Sequence, residues 1–452
     1  MKNIRNLYHE HRLSSTWFLD FFSIKKDCPA MNTSHKETTT LTNLASDKEF
    51  FISCPSECEE LLYSEIKDQI KELGLRPKMV KPNKGGVYFR GTFEDIIKTS
   101  IHLRAASRVF WIFDKIYFKD EQDFYRKALK TPWEHILHSN KTFKIDTSTS
   151  GGSRSKIRNT HFMSLKLKDA LVDSFRNKGA ERPSVEKFRP NILIKNKIVS
   201  SNGPLQAQIH IDLFGIPLSN RGYRVPGHEA PLRENLAAAI ALNMPEVSNE
   251  MAVIDSMSGS GTFLIESFLL KNKISPQFLR INEYQKDRGT WSFNHFPVLF
   301  KNRTWMDKIN NYIDLVAKTD EENLVNAKEN QFFGFDNDMR AINTASDNLK
   351  KAGLFNKVMI KKSDATKIDA NGFDQGIIFC NPPYGERLGE LKDLEELYYQ
   401  YGENLKNNFK GFNAFIFTGN QDLRKKISLR TSKRIKLYNG PLECRLLKYE
   451  LY

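Results

Sequence analysis

The chain has 452 residues, of which 40% are hydrophobic and 27% are charged, as is typical of a globular protein with two to four domains. No uninterrupted apolar run approaches the length of a membrane-spanning helix, which argues against a membrane partner. The formal net charge of +15 favours a polyanionic partner, and nucleic acid is the commonest of these.

Residues 1–48 form a polar N-terminal extension that we expect to be disordered. Its one apolar patch, "WFLDFF", is interrupted by Asp20 and makes a poor signal peptide. The five cysteines, at positions 28, 54, 58, 380 and 444, form no matched pairs and accompany no His cluster. Free thiols in a reducing cytoplasm are therefore favoured over a zinc site or a disulfide framework, and we expect a cytoplasmic protein without a metal.

The sequence pattern predicts two small α+β units, at residues 49–118 and 119–217. In the first, the strand "EFFISCP" precedes the amphipathic helix "CEELLYSEIKDQIKELG" and the strand "GGVYFRG". In the second, "FKIDTST" and "QAQIHIDLFG" predict strands on either side of the helix "NTHFMSLKLKDALVDSFRNKG". Four residues are spaced for the buried face of that helix, namely Phe162, Leu165, Val172 and Phe175.

Positive charge is concentrated in two segments. Residues 151–200 hold 12 Lys or Arg against 4 Asp or Glu, and residues 421–452 hold 9 against 3. Clustered charge of this kind favours nucleic acid over the alternative of a merely solvated surface. We expect four cations of the first segment to contact nucleic-acid phosphates, namely Arg154, Lys156, Arg158 and Lys166.

Residues 218–452 have a different pattern, in which short apolar strands alternate with helices. This alternation predicts a doubly wound, mostly parallel α/β sheet. An aromatic insertion interrupts it at about 275–330, and "RIKLYNGPLECRLLKYEL" predicts a terminal hairpin with a turn at Asn-Gly-Pro.

Three successive strand ends of this sheet carry features of a nucleotide site. "DSMSGSGT" (255–262) is a glycine loop between a strand and a helix, which allows a ligand to approach the backbone closely. Asp336 ends the second strand, where a carboxylate can bind ribose hydroxyls, and Asp364 ends the third, where it can bind an adenine amine. Each feature alone is commonly a turn or a helix cap, but the three mark one edge of one sheet. Asp336 lies about 75 residues beyond the loop, whereas a dinucleotide fingerprint expects roughly 20.

The fourth strand ends in "NPPYG", beginning at Asn381. Ring-conjugated amines are poor nucleophiles, and acceptors aimed at their N–H groups favour a reactive tetrahedral nitrogen. The amide oxygen of Asn381 and the carbonyl of Pro382 can be those acceptors, the prolines stiffen the loop, and Tyr384 can stack on an extruded base. The motif therefore predicts a planar amine substrate, with S-adenosylmethionine (SAM) in the glycine loop as the electrophile.

In combination these motifs resemble those of the THUMP-containing class I SAM-dependent RNA methyltransferases, of the bacterial 23S rRNA guanine-N2 type. The likeness covers roughly residues 49–452 and includes "RGYRVPGHEAPLRENLAAAIAL", "DSMSGSGTFLIES", "GFDNDMRAI" and "NPPYGERLGE". It implies a ferredoxin-like unit at 49–118, a THUMP RNA-binding domain at 119–217, and a Rossmann-like methyltransferase domain at 218–452. The implied catalytic sheet has seven strands, mostly parallel, with a C-terminal hairpin. Ser256 and Ser258 depart from the family's usual Pro and Cys or Ala, but both are small.

The resemblance also implies a role for each site residue. The implied SAM contacts are Asp255, Gly259, Gly261, Thr262, Asp336, Asp364, Ala365 and Asn381. The implied catalytic residues are Asn381, Pro382 and Tyr384, with Pro383, Tyr384 and Arg387 against the RNA.

Several alternatives share parts of this pattern. tRNA is a second substrate class, because other THUMP enzymes act on it. The Asn-Pro-Pro-Tyr motif also occurs in enzymes that methylate DNA amines or protein glutamine. A non-catalytic RNA-binding assembly factor with a methyltransferase fold is the rival from another class.

Overall fold

The computed structural model describes residues 43–151, 157, 159–200, 204–226, 232–370, 372–384 and 391–452. The predicted contacts Arg154, Lys156, Arg158 and Arg387 lie outside the described residues, as does most of the N-terminal extension. Among the described helices, none is both long and apolar enough to cross a bilayer.

The N-terminal half is built on one eight-stranded sheet. Its strands are β1 (Lys48–Ser53), β2 (Met79–Asn83), β3 (Gly86–Gly91), β4 (Arg108–Phe118), β5 (Thr142–Gly151), β6 (Ser184–Val185), β7 (Ile192–Ser200) and β8 (Leu205–Asp212). Its helices are α1 (Glu59–Glu72), α2 (Phe93–Ser100), α3 (Glu121–Ala128) and α4 (Thr160–Asn177), with a 3-10 turn at Trp133–His135. The strand order is β2-β3-β1-β4-β8-β7-β5-β6.

β4 joins the two predicted units of this half. It pairs with β1 on one side and with β8 on the other, antiparallel in both cases. Its alternate side chains, such as Trp111 and Phe113, belong to the same hydrophobic core as residues of α1 and α4. The two units therefore share a sheet and a core.

The C-terminal half is built on a seven-stranded sheet. Its strands are β9 (Ala252–Asp255), β10 (Phe332–Asp336), β11 (Val358–Lys362), β12 (Gly376–Cys380), β13 (Phe412–Thr418), β14 (Lys433–Asn439) and β15 (Leu442–Glu450). Its helices are α5 (Glu234–Leu242), α6 (Thr262–Lys271), α7 (Phe278–Lys286), α8 (Pro297–Phe300), α9 (Arg303–Asn326), α10 (Met339–Lys351), α11 (Leu391–Asn408) and α12 (Leu423–Lys426).

The order of this sheet is β11-β10-β9-β12-β13-β15-β14, parallel from β11 to β13 and antiparallel at β15 and β14. The predicted fold class, seven strands and terminal hairpin are thus confirmed. The hairpin turns at Gly440, whose φ of 62° suits glycine.

The predicted aromatic insertion forms α7 to α9 and two 3-10 turns, at Arg288–Thr290 and Ser292–His295. Tyr284 stacks on Trp291 with ring centroids 4.4 Å apart, and Trp291 contacts Phe214 just beyond β8. Trp305 of α9 packs edge-on against Phe93 of α2. The insertion therefore fills the junction between the two halves with aromatic side chains.

Candidate active site at the carboxyl edge of the second sheet

Parallel pairing brings the predicted strand-end residues to one edge of the second sheet. Asp255 of β9 lies beside Gly334 of β10 and beside Phe379 of β12. Asp336 and Asn381 each lie two residues further along these neighbouring strands. The strand ends that carry Asp336 and Asn381 therefore lie on either side of the strand end that carries Asp255 and the glycine loop.

The glycine loop has the backbone geometry that its sequence predicts. Gly259 and Gly261 have φ values of 50° and 73°, and Gly261 is the N-cap residue of α6. A Cβ atom on Gly261 would lie 3.2 Å from the Cβ of Ala345 on α10, so the loop packs closely on that helix. A Cβ atom on Gly259 would meet no atom within 4 Å, so space remains above that part of the loop.

Asp336, at the end of the neighbouring strand β10, binds the backbone of the glycine loop. One carboxylate oxygen accepts from the Gly259 N–H at 2.9 Å and the other from the Asp338 N–H at 2.9 Å. Each oxygen retains acceptor capacity, so this carboxylate can also bind ligand hydroxyls.

Asp364 was predicted to end the third strand, but β11 ends at Lys362 and Asp364 forms a turn beyond it, because its side chain bonds to Thr366. It accepts hydrogen bonds from the backbone N–H and the hydroxyl of Thr366, at 2.9 and 2.8 Å. Burial raises its pKa, but these bonds and Lys367 lower the pKa by more, so the carboxylate is ionised at neutral pH. The next residue, Ala365, is buried, and its carbonyl accepts from the side chain of Asn404.

Asp255 has an orphaned acceptor at this edge. Its side chain is 2% exposed, and Oδ1 has no hydrogen-bond partner among the described residues. Burial raises the pKa of Asp255 well above its usual range, and the nearby Asp336 acts in the same direction. A buried acceptor without a donor is costly, and a ligand ammonium group would satisfy it. The open loop, the unpaired Asp255 oxygen and the carboxylates of Asp336 and Asp364 fit the loop, ammonium, ribose and adenine contacts that SAM requires.

Sequence reasoning missed a side-chain network behind the loop. Arg224 donates to Glu234 at 3.0 Å and to the hydroxyl of Thr262 at 3.3 Å, while Thr262 also contacts the hydroxyl of Ser260. Asn348 of α10 donates to the carbonyl of Ser260 at 2.8 Å. The Thr262 hydroxyl thus links Ser260 of the glycine loop to Arg224. Arg224 lies in the resemblance segment "RGYRVPGHEAPLRENLAAAIAL", but nothing in its local pattern assigns it this role.

Asn381 and Tyr384 contact each other directly. The Tyr384 hydroxyl donates to Asn381 Oδ1 at 2.5 Å, and burial raises the pKa of Tyr384, so the hydroxyl stays protonated. The sequence predicts that this ring stacks on a base; in the structure its hydroxyl occupies one acceptor position of the Asn381 amide oxygen. An amide oxygen has two lone pairs, so the second remains for a substrate amine.

The loop of the motif is held by two residues from other parts of the chain, Tyr398 and Asn420. Tyr398 of α11 donates to the carbonyl of Pro383 at 3.2 Å, and Asn420, just after β13, donates to the carbonyl of Tyr384 at 3.0 Å. Pro382 is buried while Pro383 is exposed. Ser256, one of the two departures from the family pattern, donates to the carbonyl of Phe379 and thereby links the ends of β9 and β12. No local sequence signal identified Tyr398 or Asn420, because only the tertiary fold brings them next to the loop.

Lys166 is not part of this edge. It lies on α4 of the first sheet's half, with its ammonium 5.4 Å from the centroid of the Phe162 ring.

Comparison with known proteins shows the family of this chain. Residues 221–448, half of the chain, match the family model described as the RMKL-like methyltransferase domain. The chain belongs to the RMKL-like methyltransferase family. The models of the RlmL ferredoxin-like domain and of the THUMP domain match residues 49–110 and 118–202. These matches confirm the predicted resemblance.

Curated relatives of this RMKL-like protein carry the name ribosomal RNA large subunit methyltransferase K/L. The protein from Aliivibrio salmonicida is 34% identical over 388 residues, which are 85% of this chain and 52% of that protein. The one from Syntrophotalea carbinolica is 34% identical over 408 residues, 89% of this chain and 53% of that protein. This chain thus spans about half the length of these relatives. Among solved structures, SMU.472 complexed with S-adenosylhomocysteine (SAH) has a TM-score of 0.73 and 26% identity, covering 90% of this chain and 99% of that one.

Proposed function

We propose that this chain transfers a methyl group from SAM to the exocyclic N2 amine of a guanine in RNA, and that the RNA is 23S rRNA. The observation that carries the proposal is the adjacency of two strand ends. Asn381 and Pro382 follow β12, and β12 pairs directly with β9, which carries Asp255 and the glycine loop. The relatives' name and the THUMP match support RNA as the substrate class.

SAM, when bound, supplies a methyl group on a positively charged sulfur. Asn381 Oδ1 and the carbonyl oxygen of Pro382 would accept the two N–H groups of the target amine, which favours the tetrahedral nitrogen whose lone pair attacks. The methylated nitrogen would then release its extra proton to water, so no side-chain base is needed. Tyr384 would supply the aromatic face for the extruded base.

The acceptor pair favours the N2 amine over the ring nitrogen N7. Guanine N7 carries no hydrogen and is itself an acceptor, so Asn381 Oδ1 and the Pro382 carbonyl would repel it. An exocyclic amine presents two donors to the same two oxygens. The relatives' K/L name leaves the modified atom open, and this chemistry is our reason for choosing N2.

A product analysis tests the proposal. The full chain would be incubated with SAM and either a protein-free 23S rRNA transcript or unmodified tRNA, and the RNA nucleosides analysed by mass spectrometry. We expect N2-methylguanosine in the 23S transcript and none after Asn381→Ala. Formation of N7-methylguanosine or N6-methyladenosine, a preference for tRNA, or SAM binding without any product would each overturn the corresponding part of the proposal.

A further inference from the structure

A cleft lies at the junction of the two halves, and none of the strand-end residues described above lines it. It has a volume of about 800 Å³, and we call it the junction cleft. One wall is the segment His138–Lys141, which precedes β5 in the N-terminal half, and the other is formed by residues 288–310 of the insertion. Neither half forms this cleft alone, and the methyl-transfer chemistry gives the insertion no role.

The lining of the junction cleft is strongly basic. It includes Lys141, Arg288, Lys301 and Arg303, against one carboxylate from Asp307. Arg288 is held by Asp314, beyond the lining, at 2.9 and 3.0 Å. The side chains of the other three cations form no ion pair or hydrogen bond within the part of the chain that the structure describes. Cations left unpaired around a concave surface favour a polyanionic occupant.

An aromatic side chain stands at the same cleft. Phe300, at the end of α8, is 66% exposed and lines the cleft beside Lys301. Exposed aromatic rings among cations are the arrangement on which unstacked bases bind, because every base has a π face. An acidic protein segment would use the charges but would leave this ring without a matching partner.

Hydrogen bonds close to the junction cleft fix the insertion to the N-terminal half. The Ser292 hydroxyl donates to the carbonyl of Asn191 at 2.6 Å, and the Phe293 N–H donates to the carbonyl of Leu213 at 2.9 Å. Behind the lining, the hydroxyl of Tyr284 donates to Asn310 at 2.7 Å. A preformed cleft binds a ligand without the entropic cost of assembling its walls.

We propose that the junction cleft is an RNA-binding site, in which Lys141, Lys301 and Arg303 contact phosphates and Phe300 stacks on a base. The inference rests on RNA being the substrate class of the proposed function and adds a contact surface remote from the reacting amine. It gives the insertion a role in positioning the substrate relative to the catalytic edge.

Charge reversal at Arg303 tests the proposal against a matched control. Arg303 is the first residue of α9, where a glutamate is favourable to the helix, so Arg303→Glu should fold normally. Lys318→Glu makes the same charge change about 22 Å along the same helix, at an exposed position outside the cleft. Melting temperature and SAM affinity would be measured for both variants to verify folding.

The readout is the dissociation constant of a protein-free 23S rRNA transcript, measured by filter binding over a series of salt concentrations. We expect Arg303→Glu to weaken binding about tenfold and to make the log–log salt slope shallower by about one unit. Phe300→Ala should weaken binding without changing the slope, and Lys318→Glu should change neither.

Equal effects of Arg303→Glu and Lys318→Glu on the dissociation constant would overturn the proposal. The proposal would also be overturned if Arg303→Glu weakened binding to assembling ribosomal particles but not to the protein-free transcript, since that result would indicate a protein occupant. Because binding is measured without turnover, failure of the proposed reaction and failure of this site are separate outcomes.

Discussion

The hydrogen bond between Tyr384 and Asn381 connects the two residues that the proposed chemistry needs most. Asn381 Oδ1 would accept from the amine only as the nitrogen becomes tetrahedral, so its contribution belongs to the transition state. We expect Asn381→Ala to lower kcat by about two to three orders of magnitude while SAM affinity stays near normal. Single-turnover kinetics and calorimetry check this. A parallel loss of rate and SAM affinity would make Asn381 a cofactor ligand or a residue of the fold.

The ring and the hydroxyl of Tyr384 can be separated by two substitutions. Stacking of an extruded base on the ring is worth about 1–3 kcal/mol. We therefore expect Tyr384→Ala to raise the KM for RNA by about one order of magnitude, and Tyr384→Phe to stay close to the parent. The values of KM and kcat would be measured for both variants and for the parent on the same transcript. If Tyr384→Phe is as defective as Tyr384→Ala, the contact to Asn381 outweighs the stacking.

At the scale of elements, the insertion helix α9 carries a buried acid that holds the turn before α7. Asp320 Oδ1 accepts from the Ser275 N–H at 2.8 Å, and Oδ2 has no partner among the described residues. Burial raises the pKa of Asp320 to about 7, against the opposing effects of the Ser275 N–H and of Arg104. The folded chain therefore binds this proton more tightly than the unfolded chain, and stability is lost as the pH rises from about 4 to about 7.

Asp320→Asn should remove that loss, because the amide keeps the acceptor for Ser275 and does not ionise. We expect the variant to exceed the parent in free energy of unfolding by on the order of 3 kcal/mol at pH 8. The difference should shrink toward pH 5. Urea unfolding at the two pH values measures it, and a difference that is the same at both would show that Asp320 does not titrate in this window.

At the scale of the whole molecule, a buried ionic network crosses the junction between the halves. Arg221 and Glu266 are both fully buried and paired at 3.4 Å, and the Tyr223 hydroxyl donates to the same Glu266 oxygen at 2.9 Å. Arg221 also donates to the carbonyl of Arg104 in the N-terminal half, at 2.5 Å. The backbone N–H of Arg104 in turn donates to Glu65 of α1. The network therefore links α1 to α6, the helix that follows the glycine loop.

Removing one partner of this network should be costlier than removing both. Arg221→Ala leaves the Glu266 carboxylate buried without its cation, and we expect the free energy of unfolding to fall by about 3–5 kcal/mol. Arg221→Ala combined with Glu266→Gln should recover part of that loss, because the side chain left without Arg221 then carries no charge. Denaturant unfolding of the parent, of Arg221→Ala and of the double variant measures these differences in the free energy of unfolding. A double variant no better than Arg221→Ala would mean that lost packing, rather than charge, dominates.

The sequence by itself determined the features that depend on local pattern. The glycines of the loop, Asp336 and Asn381 lie at strand ends as predicted, because each follows a short apolar run, and parallel strands present these ends at one edge of a sheet. The terminal hairpin followed in the same way from its Asn-Gly-Pro turn.

Only the tertiary structure decided which surfaces meet. Leu165 was predicted to face inward but is 40% exposed, whereas Val172 is buried as predicted. The buried face of α4 is centred on Met163, Leu167 and Leu171, which have helical spacing too, so the spacing alone could not decide which face packs on the sheet. The pairing of β4 with β8 joins residues about a hundred positions apart. The Arg221 network and the junction cleft bring together residues separated by still longer stretches of chain. Such contacts leave no periodic signal, since long-range packing fixes them and neighbouring residues do not.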